Sequence, residues 1–214
     1  MTDTAARFLT MEGIEGVGKT TQVARLSQYL TARRIDHLVT REPGGTPFAE
    51  RIRDLVLRPR DEMLPPAAEM LLMFAARAVH LANLIEPALN AGRWVICDRF
   101  TDATYAYQGG GRRMSQSTIW HLESLVQGAR RPDLTLLLDV PVDVGLARSR
   151  QRDAGGAHDR FDREGAEFFQ RVRDAYLSRA EAEPQRMTVV DAAASVDEVA
   201  ANIAKVLEAR SWIS

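Results

Sequence analysis

Short apolar runs alternate with longer stretches whose apolar residues recur every three or four positions, and this alternation runs the length of the chain. The short runs predict strands at 7–12, 37–40, 94–98, 134–140 and 187–190. Between them the spacing predicts a helix at about 21–33, where Val23, Leu26 and Leu30 share a face. Further helices are expected at about 48–57, 67–91, 115–127, 142–152, 164–182 and 195–210. The run Leu134-Thr135-Leu136-Leu137-Leu138-Asp139-Val140 is apolar almost throughout, as suits a strand covered on both faces of a parallel sheet. Strands separated by helical connections predict an α/β fold: one doubly wound, five-stranded parallel sheet with flanking helices. In such sheets functional groups gather at the carboxyl ends of the strands. No internal repeat, low-complexity tract or linker interrupts the pattern, so a single domain over 1–214 is expected.

Composition narrows the class of partner. A hydrophobic fraction of 45% and a charged fraction of 27% are ordinary for a globular chain. With 28 basic and 29 acidic residues the net charge is −1, which gives no overall attraction to nucleic acid or to an anionic membrane. The single cysteine, Cys97, lies in an apolar run and points to strand core and a reducing, cytoplasmic setting. The polar lead before the first strand does not read as a signal peptide. No apolar run approaches the roughly 18 residues expected of a membrane span.

The candidate chemistry begins after the first strand. Gly13-Ile14-Glu15-Gly16-Val17-Gly18-Lys19-Thr20 matches GxxxxGK[ST], with Thr21 continuing into the first helix. Strand, glycine-rich turn and helix start together make a phosphate cradle. Glycines let backbone N–H groups turn toward an anion, Lys19 reaches the terminal phosphates, and Thr20 offers a hydroxyl to Mg²⁺. Lys19 is one of only two lysines, the other being Lys205, in a chain that otherwise uses arginine. A slim point charge suits a narrow loop better than a planar guanidinium.

Further motifs fall at the other expected strand ends: Arg41-Glu42-Pro43-Gly44-Gly45-Thr46, Phe74-Ala75-Ala76-Arg77, Asp98-Arg99-Phe100 and Tyr107-Gln108-Gly109. Together with the 13–21 loop, in this order and spacing, they closely resemble bacterial thymidylate kinases, a family of P-loop nucleoside monophosphate kinases. The resemblance covers nearly the whole chain. It implies transfer of the γ-phosphoryl group of ATP to dTMP, with Mg²⁺, usually in a homodimer; the balanced charge leads us to expect no nucleic acid or membrane partner.

The same resemblance assigns roles. The 13–21 loop would bind ATP. Phe74 and Arg77 stand three apart on one helix face and would stack on thymine and donate to its edge. Arg99 would clamp the dTMP phosphate, Asp98 would help hold Mg²⁺, and Glu15 would face the 3′-hydroxyl. Arg41, Arg53, Thr104, Tyr107 and Gln108 would complete the acceptor pocket, with the bulk of Tyr107 crowding a ribose 2′-hydroxyl. Arg148, Arg150 and Arg152 precede the stretch 153–162 and resemble the arginines of a mobile lid over about 148–162. Because Gly16 follows Glu15, the phosphate loop brings no guanidinium of its own. The catalytic positive charge is therefore expected from Arg150 and Arg152, with Arg148 packing on adenine. His158 is expected to be a lid surface residue.

Three other readings differ in testable ways. A kinase for another nucleotide would share the scaffold and differ in the acceptor pocket. A GTPase would read guanine through Asn-Lys-x-Asp, and Asn83, Asn90 and Asn202 all lie outside such a context. A non-catalytic nucleotide sensor would lack the acceptor motifs.

Overall fold

The computed structural model describes residues 5–59, 61–152, 160–161 and 164–213. Its strands are β1 (Phe8–Glu12), β2 (His37–Arg41), β3 (Trp94–Asp98), β4 (Leu134–Asp139) and β5 (Met187–Asp191). They form one parallel sheet in the order β2-β3-β1-β4-β5, as the alternating pattern predicts. β1 is central: Met11 is in register with Asp98 on one side, and Glu12 with Leu137 on the other. From β1 the chain builds outward first to β3 and β2, then to β4 and β5. The crevice for a ligand therefore opens above the carboxyl end of β1. All of β1 and the first five residues of β4 are buried, and their two interior hydroxyls, Thr10 and Thr135, hydrogen-bond each other at 2.8 Å.

The helices are α1 (Lys19–Ala32), α2 (Pro47–Leu57), α3 (Pro66–His80), α4 (Glu86–Asn90), α5 (Thr101–Thr104), α6 (Gln116–Gln127), α7 (Val142–Arg152), α8 (Ala166–Ala182) and α9 (Val196–Ala209). Local chemistry explains several starts. The Thr46 hydroxyl accepts from the Ala49 N–H at 3.3 Å, and Pro47 occupies the first turn of α2, where no N–H is needed. α9 opens with a reciprocal capping box between Ser195 and Glu198.

Two segments depart from the sequence expectation. The helix expected at 67–91 is broken: α3 ends at His80, a π-helical turn covers Leu81–Ile85, and α4 follows. The helical stretch Pro66–Asn90 is also long and apolar enough, by length and composition alone, to cross a bilayer, contrary to the reading of the sequence. Half of its most apolar window is buried inside the fold, and it carries the fully buried polar residues Glu69, Arg77 and His80. It is a core helix. Second, the chain between β3 and α6, for which no element was expected, forms α5 and then a π-helical segment, Tyr105–Gly111. That segment carries Tyr107 and Gln108, both buried, onto the wall of the crevice, a common use of π-helix near functional sites.

Candidate active site

The loop after β1 has left-handed or otherwise positive φ at Gly13, Gly16 and Gly18. At Gly16 (φ 74°) an added Cβ would overlap the Gly145 carbonyl oxygen of α7, so the close approach of loop and helix requires glycine. Ile14 and Val17 turn their side chains into the core, which leaves the backbone of the loop facing the crevice. Lys19 is the first residue of α1, and its Nζ donates to the carbonyls of Gly13 at 3.1 Å and Ile14 at 2.9 Å. Burial, reinforced by the Arg99 charge, pulls the Lys19 amine down to about 8. Thr20 and Thr21 are exposed, and no acidic residue stands in the first turn of α1 to oppose an incoming anion. This is a cation and a row of N–H donors waiting for a polyanion.

The loop borders a cavity of about 580 Å³. Beside it stands Arg99, just past β3, with the unusual backbone angle φ 69°. Its guanidinium donates to the Gly13 carbonyl at 2.8 Å, the Glu15 carboxylate at 2.7 Å, the Tyr107 hydroxyl at 2.9 Å and the Tyr176 hydroxyl at 3.2 Å. Burial alone would weaken its charge, but Tyr107, Glu15, Tyr176 and Asp98 outweigh that and hold it firmly protonated. Below it lies Glu12, fully buried, accepting from the Phe100 N–H and the Tyr176 hydroxyl, both at 2.7 Å. Burial, with the nearby Asp102 charge, pushes the Glu12 carboxyl up to about 7. Asp98 lines the cavity, and its Oδ1 is buried without a hydrogen-bond partner.

The residues expected at the acceptor side separate into two layers. Arg41, Arg53, Tyr107 and Gln108 line the cavity. Arg41 is paired with Glu50 at 3.0 Å, and Arg53 donates to the Pro43 carbonyl at 2.9 Å. Gln108 is held through its amide nitrogen by Glu69 at 2.6 Å, leaving its carbonyl oxygen buried and unpartnered. Phe74, Arg77 and Thr104 lie one layer back and do not line the cavity. Phe74 packs with Met70, Tyr105 and Ile119, because α3 packs against α6, which in turn packs against the π segment. Arg77 is buried against the Glu42 carboxylate at 2.7 Å and Thr104 at 3.1 Å, while its Nη1 has no partner. Phe74 and Arg77 lie on α3, three residues apart as expected, and both are enclosed.

Of the lid arginines, Arg148 lines the cavity and donates to the Ala192 and Ala193 carbonyls after β5. Arg150 is exposed on α7 and does not line the cavity. The side chain of Arg152, the Gly155-Gly156 stretch and His158 lie outside the described residues. Phe161, which belongs to none of the sequence motifs, lines the cavity and packs edge-on against Tyr107, with ring centroids 5.4 Å apart. Tyr176 was equally hidden. It is one aromatic on an amphipathic helix, and only the fold brings α8 to Arg99.

Comparison with known proteins places this geometry. The family model described as thymidylate kinase matches residues 11–203. A thymidylate kinase of Pseudomonas syringae pv. tomato is 56% identical over 200 residues, covering 94% of each chain. One of Chromohalobacter salexigens is 55% identical over 212 residues, covering 98% of this chain and 99% of its own. The crystal structure of thymidylate kinase from Ehrlichia chaffeensis superimposes with a TM-score of 0.75 at 33% identity, covering 95% of this chain and 99% of that one.

The lowered Lys19 amine has a consequence for stability. Its folded value, about 8, lies below the ordinary lysine value of 10.5, so below pH 8 the native state bears the full cost of a buried charge. Between pH 8 and 10.5 the unfolded chain binds the extra proton, and stability from this group rises with pH. The unfolding free energy of the ligand-free protein should therefore climb relative to that of Lys19→Met across this interval, by up to ~3 kcal/mol at 1.36 kcal/mol per unit. Denaturant titrations of both proteins at pH 7, 8, 9 and 10 measure it; parallel curves would show that the amine is not perturbed.

Proposed function

This chain belongs to the thymidylate kinase family, and we propose how its own residues carry out the family reaction, transfer of the γ-phosphoryl group of ATP to dTMP to give dTDP and ADP. It is an enzyme, a nucleoside monophosphate kinase acting in dTTP synthesis. The observation that carries the residue assignment is that the phosphate loop, the Arg99–Glu15 pair, Arg41, Arg53 and Tyr107 meet in a single cavity at the carboxyl edge of the sheet.

The phosphate loop of residues 13–21 and the N-terminus of α1 bind the ATP phosphates. Lys19 leaves its two loop carbonyls for the β- and γ-phosphate oxygens, where its charge is neutralised by ligand. Arg148, fixed to the loop after β5, lies against adenine. On the other side Arg99 clamps the dTMP phosphate. Glu15, its partner in the free protein, then serves the 3′-hydroxyl. Phe74 and Arg77, one layer behind the lining in the free protein, are assigned the thymine floor once the acceptor enters, with the partnerless Nη1 of Arg77 as the donor left for the edge of the base. Thr104 and Gln108 steady that floor, and Arg41 and Arg53 flank the sugar and phosphate. The dTMP phosphate is largely dianionic at neutral pH, so no general base is needed and the rate rests on alignment and charge.

Mg²⁺ fits the residues present. The buried, partnerless Oδ1 of Asp98 and the exposed hydroxyl of Thr20 border one cavity. Two such oxygens suit an ion held by one or two protein groups together with substrate phosphates. When bound, the ion neutralises charge on the transferring phosphate.

The chain is read as one kinase domain whose lid spans about 148–162. A homodimer is supported by large apolar side chains left exposed on α3 and α6: Leu71, Trp120 and Leu125. Sedimentation equilibrium, with a mass of twice 23.8 kDa as the expected result, tests it. A cytoplasmic setting is supported by the single, buried, unpaired cysteine.

Two experiments probe these assignments. With ATP and Mg²⁺, ADP release should be much faster with dTMP than with dCMP or UMP, and Tyr107→Gly should narrow the gap to UMP. Equal turnover of all acceptors would remove the assigned base and sugar contacts. Replacing Arg150 and Arg152 together by alanine should lower single-turnover transfer by ~10³-fold at saturating substrates with little change in dTMP affinity, as for an arginine felt mainly in the transition state. A rate within about threefold of the parent, ~0.6 kcal/mol, would leave Arg99 as the main catalytic cation.

A further inference from the structure

A chain of buried polar groups drawn from β2, the turn after it, α3 and α5 reaches the cavity wall at Glu42. The Thr40 hydroxyl meets Nε2 of His80 at 2.7 Å. Nδ1 of His80 meets one oxygen of Glu42 at 3.0 Å. The other oxygen of Glu42 accepts from Nε of Arg77 at 2.7 Å, and Nη2 of Arg77 donates to Thr104 at 3.1 Å. His80 and Thr104 are 0% exposed, and the side chains of Arg77 and Glu42 are 1% and 2% exposed.

Nδ1 of His80 carries a hydrogen toward the accepting oxygen of Glu42, and Nε2 shares a hydrogen bond with the Thr40 hydroxyl. Apart from Nη1 of Arg77, the buried side-chain polar atoms of this chain are all bonded. A network satisfied at every atom but one, deep in a core, is rigid at all the others. The turn is shaped around it. Gly45 has φ 85°, and a Cβ there would overlap both Nε2 of His80 and the Thr40 hydroxyl, so the backbone approach that encloses the imidazole depends on glycine.

A carboxylate terminus rotates in a broad well and does not orient a guanidinium by itself. Glu42 is held at both ends: its N–H donates to the Asp98 carbonyl at 2.9 Å, and Nδ1 of His80 fixes its second oxygen. His80 and Arg77 stand three residues apart on one face of α3, so both grip the same carboxylate from the same helix. We propose that His80 is a positioning residue for acceptor specificity: through Glu42 it holds the Arg77 guanidinium in the orientation in which its free nitrogen reads the acceptor base. This rests on the assignment of Arg77 to the base edge. A fixed N–H donor accepts a 4-carbonyl pyrimidine and meets the 4-amino group of cytosine donor against donor, leaving both unsatisfied in a buried site. A guanidinium free to turn aside loses that penalty.

The test is the ratio of kcat/KM for dTMP to that for dCMP in the intact enzyme. His80→Leu should lower this ratio by about tenfold or more, raise KM for dTMP and leave KM for ATP within about twofold, since only the acceptor reader is released. His80→Asn, whose amide nitrogen takes the place of Nδ1, should retain most of the discrimination. Arg77→Gln separates the reader from its support. If it leaves the ratio unchanged, the base-edge assignment falls. If it collapses the ratio while His80→Leu does not, the assignment stands and the role of His80 is overturned. Should His80→Leu fail to fold, His80→Asn and His80→Gln carry the comparison. The glutamine amide sits at the Nε2 position, facing Thr40 rather than Glu42, and should lose the discrimination that asparagine keeps; equal ratios in the two would overturn the proposal.

Discussion

The guanidinium of Arg99 is the joint on which the site depends. Its bonds reach the loop after β1 through Gly13 and Glu15, the π-helical segment through Tyr107, and α8 through Tyr176. Elements distant in sequence are tied to one planar cation. The tie demands a positive φ at a non-glycine residue, and that backbone is braced from beneath, where Glu12 accepts from the next N–H, that of Phe100. In the free protein the charge is matched by Glu15. On the proposed assignment, an acceptor phosphate takes over from Glu15, and the cation would exchange one anionic partner for another without being left buried alone, a state that would cost several kcal/mol.

The two ends of the site differ in how they are built. At the proposed donor end stand backbone N–H groups, a helix terminus and Lys19, with Thr20 and Thr21 open to solvent. At the proposed acceptor end the polar groups of Arg77, Thr104 and Gln108 are buried and bonded to one another or to Glu42 and Glu69, themselves buried. A desolvated donor left without its acceptor is costly, and on the proposed assignment that cost would reject a wrong base.

Much of this was legible in the sequence, for identifiable reasons. Buried parallel strands are nearly continuous apolar runs, so β1 to β5 were found to within one residue at each end. The phosphate loop declares itself because its chemistry is local: glycines, Lys19 and Thr20 act where they stand. What was not legible depends on long-range packing. The π-helical turns at Leu81–Ile85 and Tyr105–Gly111 come from how α3 and the segment after β3 fit their neighbours, and periodicity averages over them. Phe74 and Arg77 were correctly placed on one helix face, but their enclosure depends on α6 and on Glu42, thirty-five positions away from Arg77. His80, Tyr176 and Phe161 carry no local signature at all. Each is an ordinary helix or loop residue until the fold brings it to a partner.

The exchange of partners at Arg99 can be measured by calorimetric titration of dTMP and thymidine, which differ only in the phosphate, into the intact protein and Arg99→Ala. If the guanidinium clamps the acceptor phosphate, the parent should bind dTMP ~100-fold or more tightly than thymidine, and most of that gap should vanish in the variant while thymidine affinity stays close to the parent value. A folded Arg99→Ala protein that still prefers dTMP over thymidine by the parental factor would contradict the account.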